Sequence, residues 1–172
     1  MPTVEWKEQT YHEDWLPGET IIAAIGQGYY LATPLQQALL AMAVANGGIV
    51  YRPMLVSRVQ SNAGNVIKSY APEVLRIIYL NPEHWVTIRS GLEGVPLKGT
   101  AALNFQGYKG TLAGKTGSAE TGRGTVHSWF ACYAPADKPE IAMAVFVEEA
   151  GDGAEAAVPA ARRILEYYFA KS

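Results

Sequence analysis

The sequence has a single cysteine, little net charge and no long apolar run. Cys132 is its one cysteine, which excludes an internal disulfide and a cysteine-rich zinc site. The 14 basic and 16 acidic residues give a net charge of −2 and are scattered, so no basic surface for nucleic acid is expected. No segment approaches the ~20 apolar residues of a transmembrane helix, and no apolar signal stretch follows Met1. We therefore expect a soluble chain.

The composition is that of a folded domain. Of the 172 residues, 49% are hydrophobic, which is enough for one domain with a core. Residues 1–20 show no apolar periodicity and contain the turn signal Pro17-Gly18, so we predict a loop there. Trp6, Tyr11 and Trp15 in this segment are interpreted as packing residues, with a partner surface as the alternative.

Three segments have the sequence features of helices. Thr33, Pro34 and Gln36 form a capping box with proline at the first helical position, and Asn46-Gly47-Gly48 ends that helix. A second helix is predicted from Asn81-Pro82 to about Leu92. A third is predicted over about residues 154–170. The apolar faces consist of Leu35, Ala38, Leu39, Met42 and Ala45 in the first helix, and of Ala157, Ala161, Ile164, Leu165 and Tyr168 in the third.

The remaining apolar segments read as strands. Residues 49–59 and 74–80 are predicted to be extended, with a turn at residues 62–65. Residues 110–120, 126–134 and 140–148 are joined by links too short for a parallel crossover, so they are predicted to form an antiparallel meander. The expected fold class is α+β: an antiparallel sheet, incomplete in this chain, with helices on both faces.

The candidate functional residues lie in the segment Gly114-Lys115-Thr116-Gly117-Ser118. A lysine within an apolar strand is costly unless it faces a cleft or a partner. Because side chains alternate along a strand, Thr116 and Ser118 are expected on one face and Lys115 and Gly117 on the other. A twist or bulge would bring the ammonium group to the same anion as the two hydroxyl groups.

Such a strand suits an extended peptide that ends in a carboxylate. The peptide can pair along the strand edge, where Lys115, Thr116 and Ser118 hold its carboxylate. Gly117 leaves room for close approach, and the backbone N–H of Ser118 can face a developing oxyanion. The alternative for so short a motif is an ordinary lysine at a strand edge beside a turn.

Several motifs in order resemble those of class B penicillin-binding proteins. Lys-Thr-Gly at residues 115–117 is a signature shared with serine β-lactamases. The other segments that resemble this family are Gly26-Gln27-Gly28-Tyr29, Ala32-Thr33-Pro34-Leu35-Gln36, Ala45-Asn46-Gly47-Gly48, Gly99-Thr100-Ala101, and His127-Ser128-Trp129-Phe130 through Ala134-Pro135. The Pro2–Lys7 stretch is more similar to the elongation-type penicillin-binding protein 2 group than to the division group.

The resemblance implies a serine acyltransferase without a cofactor. Its substrates are peptidoglycan stem peptides ending in D-alanyl-D-alanine, which it crosslinks through an acyl-serine intermediate, and β-lactams trap that intermediate. Lys115, Thr116 and Ser118 would hold the substrate carboxylate, and the Ser118 N–H would be half of the oxyanion hole. The parent protein is expected to be anchored in the bacterial cytoplasmic membrane, with this domain outside, in a cell-wall elongation complex.

The serines depart from the family pattern. None is followed by lysine three residues on or by asparagine two residues on, so the nucleophile motif and its partner motif are missing. Residues 1–172 are therefore expected to be a C-terminal part of the transpeptidase domain, inactive alone because a serine without a base is a poor nucleophile. Bare apolar surface would favour self-association. The alternatives are a non-catalytic binding module and a serine β-lactamase relative.

Three other candidates are interpreted as structural. His127 has no acidic partner nearby in the sequence. Cys132 lies among aromatic residues in a strand and is expected to be a buried, inert thiol rather than a nucleophile paired with His127. The carboxylates of Glu148, Glu149 and Asp152 are expected to be solvated rather than to hold a metal ion.

Overall fold

A three-stranded antiparallel sheet lies at the centre of the computed structural model, which describes residues 2–171. In chain order the elements are α1 (Val4–Tyr11), α2 (Pro17–Ala24), α3 (Pro34–Ala45), β1 (Ile49–Tyr51), β2 (Arg58–Gln60), β3 (Val66–Ser69), β4 (Val74–Ile77), α4 (Pro82–Lys98), α5 (Ala102–Phe105), β5 (Ala113–Glu120), β6 (Val126–Ala134), β7 (Ile141–Val147) and α6 (Ala157–Ala170). The central sheet has the order β5-β6-β7, which confirms the predicted meander.

Helices cover both faces of this sheet, as the sequence predicts. On one face, α6 packs against β6 and β7, and Leu165 and Phe130 are both fully buried there. Burial of side chains of this size stabilises the fold by about 1.5–3 kcal/mol each. On the other face, α3 packs against β6 and β7. The Arg89 guanidinium of α4 donates to the Val44 and Ala45 carbonyls, and so caps the C-terminal end of α3.

The capping box of α3 is confirmed, but the predicted buried face is wrong in part. The Thr33 hydroxyl accepts from the Gln36 N–H at 3.2 Å, and the Gln36 side chain accepts from the Thr33 N–H at 2.8 Å. Leu35 is 56% exposed, whereas Ala41 and Ala43 are the most buried residues of the helix. The reason is that α3 contacts the sheet on one side and α4 on another, so its buried surface is not a single stripe.

The predicted loop over residues 1–20 is wrong, because most of this segment is helical. The Thr3 hydroxyl caps α1 by accepting from the Trp6 N–H at 3.1 Å, and His12 ends it in the left-handed conformation, with φ at 58°. Pro17, interpreted as part of a turn, begins α2 instead. Apolar periodicity is absent because α1 packs through aromatic and charged side chains.

Lys7 organises this N-terminal part. It is 2% exposed, and its ammonium donates to the Asp14 carbonyl and the Glu19 carboxylate, both at 2.7 Å. The ammonium also lies 5.8 Å from the centre of the Tyr29 ring. Trp6, Tyr11 and Trp15 surround the same ring at centroid distances of 5.5, 5.3 and 6.4 Å. These aromatic residues therefore pack, as interpreted from the sequence, around a buried cation.

Two other boundaries differ from the prediction. The extended region is four short strands, in which β1 pairs with β4 and the turn at residues 62–65 joins β2 to β3. Helix α4 continues through Gly91, Gly94 and Pro96 to Lys98. Each glycine costs about 1 kcal/mol relative to alanine, and packing of Val95 on the core offsets that cost.

The exposed surface is large for the size of the chain. It amounts to 11749 Å², whereas a compact monomer of this mass exposes about 8,200 Å². Large apolar side chains are among the exposed residues, with Ile21, Ile25 and Leu31 70%, 75% and 94% exposed. Bare apolar surface was expected from the sequence, and self-association stays a prediction. Within residues 2–171, no helix is both long enough and apolar enough to cross a membrane.

Ser128 fixes the position of α6. Its buried hydroxyl donates to the Asp152 carbonyl at 2.8 Å and accepts from the Ala157 N–H at 3.0 Å. Since the first N–H groups of a helix have no partner within the helix, this bond satisfies one of them in the interior. The loop before α6 is therefore held directly on β6.

Replacement of Ser128 by alanine is expected to destabilise the fold by about 1–3 kcal/mol, because the buried Ala157 N–H loses its acceptor. Chemical denaturation of the wild type and the variant measures the difference. Ser90→Ala, at an exposed position on α4, is the matched control and should change stability little. Equal stability of both variants would contradict this account of Ser128.

Glu19 should make stability depend on pH. Its hydrogen bonds, first from Lys7 and then from the Leu16 N–H, lower the pKa of the Glu19 carboxyl. A carboxyl whose pKa is lower in the folded than in the unfolded state stabilises the fold at pH values above its unfolded pKa, which is about 4.3 for glutamate. This stabilisation is lost as the pH falls through the folded-state pKa. Wild-type stability should thus decline on acidification more steeply than that of Glu19→Gln. Urea unfolding between about pH 6 and pH 3 tests this, with Glu8→Gln as the exposed control; parallel curves for wild type and Glu19→Gln would refute it.

Candidate functional site

The Lys115–Ser118 motif lies on strand β5 at one edge of the central sheet. The pairing of β5 with β6 is uninterrupted from Ala113, opposite Tyr133, to Glu120, opposite Val126. Within residues 2–171, no strand pairs with the other edge of β5. The motif therefore borders an open edge to which an extended peptide can add.

Side chains of the motif alternate between the faces as predicted. Thr116 lies opposite Phe130 and Ser118 opposite Ser128, on the face that packs against α6. Lys115 lies opposite Ala131, on the other face. The two hydroxyl groups are thus on one side of the strand and the lysine stem on the other.

The ammonium group of Lys115 nevertheless reaches the open edge. It donates to the Thr116 carbonyl at 2.8 Å, and the side chain is exposed. No bulge interrupts β5, so the flexible four-carbon stem, rather than a backbone irregularity, brings the charge around. The expected bulge or twist is not needed.

Backbone groups of Ser118 also point to the open edge. The Ser118 carbonyl accepts from the Gln27 side-chain amide at 2.9 Å, and the Thr116 carbonyl accepts from Lys115. In an antiparallel pair, the N–H and C=O of one residue point to the same side, and the sides alternate along the strand. The Ser118 N–H is therefore directed away from β6, where a ligand on the open edge can meet it.

The loop that precedes α6 covers one face of the motif. The Ser118 hydroxyl accepts from the Gly153 N–H at 3.3 Å. A Cβ atom at Gly153 would lie 2.6 Å from the Trp129 carbonyl oxygen and 2.9 Å from that of Gly117, so only glycine fits there without a backbone shift. At Gly117 a Cβ atom would lie 3.1 Å from the Trp129 Cβ, so tight packing also favours glycine at this position. This reason adds to the close approach of a substrate that was proposed from the sequence.

Three residues at this site were not assigned a role from the sequence. They are Gln27, Thr100 and Gly153, which lie 91, 16 and 35 positions from their partners on β5. The Thr100 hydroxyl is 2.6 Å from the Thr116 hydroxyl. The segments that contain Gln27 and Thr100 were singled out as motifs, but no local pattern indicates which strand they contact.

His127 and Cys132 cannot act together, because they lie on opposite faces of β6. The His127 Nδ1 accepts from the Glu149 N–H at 3.1 Å, and its ring packs on Phe146 with centroids 5.2 Å apart. Cys132 is 1% exposed, and burial raises the pKa of its thiol to about 12. The interpretation of Cys132 as a buried thiol is confirmed. Across residues 2–171, His, Cys, Asp and Glu side chains form no group of three or more that could hold a metal ion.

The chain is similar to known proteins over most of its length. The family described as penicillin binding protein transpeptidase domain matches residues 6–166. Peptidoglycan D,D-transpeptidase MrdA of Haemophilus influenzae is 33% identical over an alignment of 187 positions, which covers 98% of this chain and 28% of the relative.

Solved structures agree with that match. Pseudomonas aeruginosa PBP2 in complex with WCK 5153 superposes with a TM-score of 0.83 at 34% identity, over 97% of this chain and 36% of that one. The imipenem acyl-enzyme of penicillin-binding protein A from M. tuberculosis gives 0.76 at 32% identity, over 86% and 33%. This chain thus spans about a third or less of each relative. The resemblance found in its motifs is confirmed: the chain belongs to the penicillin-binding protein transpeptidase domain family.

Proposed function

We propose that this chain forms the carboxylate-binding part of a peptidoglycan D,D-transpeptidase of the MrdA type. The observation that carries the proposal is the open edge of β5, where the Lys115 ammonium donates to the Thr116 carbonyl and the Ser118 N–H is directed away from β6 two residues further along. The Thr116 and Ser118 hydroxyl groups lie on the same strand. A ligand that combines an extended backbone with a terminal carboxylate fits this edge.

A stem peptide ending in D-alanyl-D-alanine has both features. Its backbone would add to β5 as a further strand, and its terminal carboxylate would accept from Lys115, Thr116 and Ser118. The carboxylate of a β-lactam would take the same place. As acyl transfer proceeds, the carbonyl oxygen of the attacked bond gains negative charge, which the Ser118 N–H would stabilise.

The nucleophile must come from outside this chain. In the proposed reaction, a serine oxygen attacks the carbonyl of the penultimate residue, and D-alanine leaves with the nucleophile's proton. An amine of a second stem peptide then attacks the acyl-serine ester and forms the new peptide bond, and the serine oxygen leaves with a proton from that amine. Ser128 cannot serve, since its buried hydroxyl is bonded to Asp152 and Ala157. Within residues 2–171, the Ser118 hydroxyl bonds to the Gly153 N–H rather than to a base, and His127 lies on the other face.

A non-catalytic binding module is the second candidate. It is favoured by the serine contacts just described, and it would use the same edge of β5. In either case the parent is proposed to act outside the cytoplasmic membrane, and membership of an elongation complex stays a prediction. Reaction with penicillin tests the missing nucleophile, and peptide binding tests the site itself.

The chain alone is expected to form no covalent adduct with penicillin, because no serine is followed three residues on by the lysine that would activate it. Incubation with a labelled penicillin, followed by intact-mass measurement, checks this. A purified penicillin-binding transpeptidase treated in parallel shows that the label is reactive. A stoichiometric adduct on this chain would contradict the assignment, and peptide mapping would then identify the serine.

Binding of a peptide that ends in D-alanyl-D-alanine should depend on Lys115. Replacement of Lys115 by methionine is expected to weaken binding about fivefold, which is ~1 kcal/mol and the upper range for an exposed ion pair. NMR titration of the labelled chain measures the affinity. Lys109→Met, at an exposed position just before β5, is the matched control. Equal affinity for the wild type and Lys115→Met would remove Lys115 from the site.

A further inference from the structure

In the segment Gly99-Thr100-Ala101, packing explains why glycine and alanine occupy the outer positions, but it does not explain why threonine occupies position 100. A Cβ atom at Gly99 would lie 2.9 Å from the Val95 Cα, so the chain needs glycine at the end of α4. Ala101 is fully buried and leaves no room for a larger side chain. Thr100 lies between them and is exposed.

The position of Thr100 is nevertheless fixed. The Gly99 and Ala101 N–H groups both donate to the Val95 carbonyl, at 3.1 and 3.3 Å, and the Ala102 N–H donates to the Gly99 carbonyl at 3.1 Å. These bonds hold the residue between α4 and α5. Its hydroxyl is thereby held 2.6 Å from the Thr116 hydroxyl on β5.

We propose that Thr100 is a positioning residue that makes the site selective for a carboxylate. This inference rests on the proposed function, because it assigns the ligand carboxylate to Thr116. A hydroxyl group has one proton and two lone pairs, and an ionised carboxylate only accepts. When Thr116 donates its proton to the carboxylate, the proton between the two hydroxyl groups must come from Thr100.

The result is a directed chain from Thr100 to Thr116 to the carboxylate. Donation by Thr100 polarises the Thr116 hydroxyl, because hydrogen bonds in a chain strengthen one another. The effect is larger for a charged acceptor, since hydrogen bonds to ionised groups are about twice as strong as neutral ones. A neutral C-terminal amide in the same place gains less from Thr100, so loss of Thr100 should lower the preference for acid over amide.

The test compares one peptide ending in D-alanyl-D-alanine with the same peptide as its C-terminal amide. NMR titration of the wild-type chain and of Thr100→Val, which removes the hydroxyl but keeps the shape, gives both affinities. We expect the ratio of the affinities for the acid and the amide peptide to fall about two- to threefold in Thr100→Val, because the variant loses the cooperative strengthening, roughly 10–30% of a hydrogen bond to a charged acceptor. Thr100→Ser keeps a hydroxyl and should retain most of the wild-type ratio.

Thr87→Val is the matched control, because Thr87 lies on α4 and its hydroxyl bonds only to the Glu83 carbonyl among the contacts described. An unchanged acid-over-amide ratio in Thr100→Val, or equal loss of acid and amide binding, overturns the role of Thr100 while the carboxylate site stands. A purely structural role would weaken both ligands together. If the wild-type chain binds neither peptide, the proposed carboxylate site is wrong, and this inference fails with it.

Discussion

The pairing of β5 with β6 is the constraint on which the rest of the site depends. Strand β6 is paired on both sides and covered on both faces, so its register cannot shift without moving buried side chains. Ser128 ties this strand to the loop before α6, through Asp152, and to the first turn of that helix, through Ala157. The direction in which each side chain and backbone group leaves β5 follows from that fixed register.

This single register places different chemical groups on three sides of β5. The hydroxyl groups of Thr116 and Ser118 face α6, the stem of Lys115 faces the opposite side, and the Ser118 N–H faces the open edge. Residues remote in sequence contact three polar atoms of this strand. Gly153 contacts the Ser118 hydroxyl, Thr100 the Thr116 hydroxyl, and Gln27 the Ser118 carbonyl. The site is therefore a short strand whose polar groups are set by surrounding loops.

The sequence predicts the strand but not these surroundings. Short links between apolar runs leave an antiparallel meander as the one simple arrangement, and alternation then assigns the faces of residues 115–118. Contacts such as that between Gln27 and Ser118 join segments 91 residues apart, and no local pattern encodes them. The same reason explains the missed helix α1, which is stabilised by packing around Tyr29 and by the Lys7 contacts rather than by an aliphatic stripe.

Exposure to solvent limits how tightly the open edge of β5 alone could bind a carboxylate. Lys115 and Ser118 are exposed, and ion pairs in water contribute only about 0–1 kcal/mol each. A carboxylate bound at this edge, as proposed, would therefore be held weakly, and stronger binding would require a cover that excludes water and lowers the local dielectric constant. The relatives are about three times as long as this chain or longer. In the proposed transpeptidase, residues outside this chain would supply both that cover and the serine. Tight carboxylate binding and acyl transfer would then arise together when the open edge of β5 is closed.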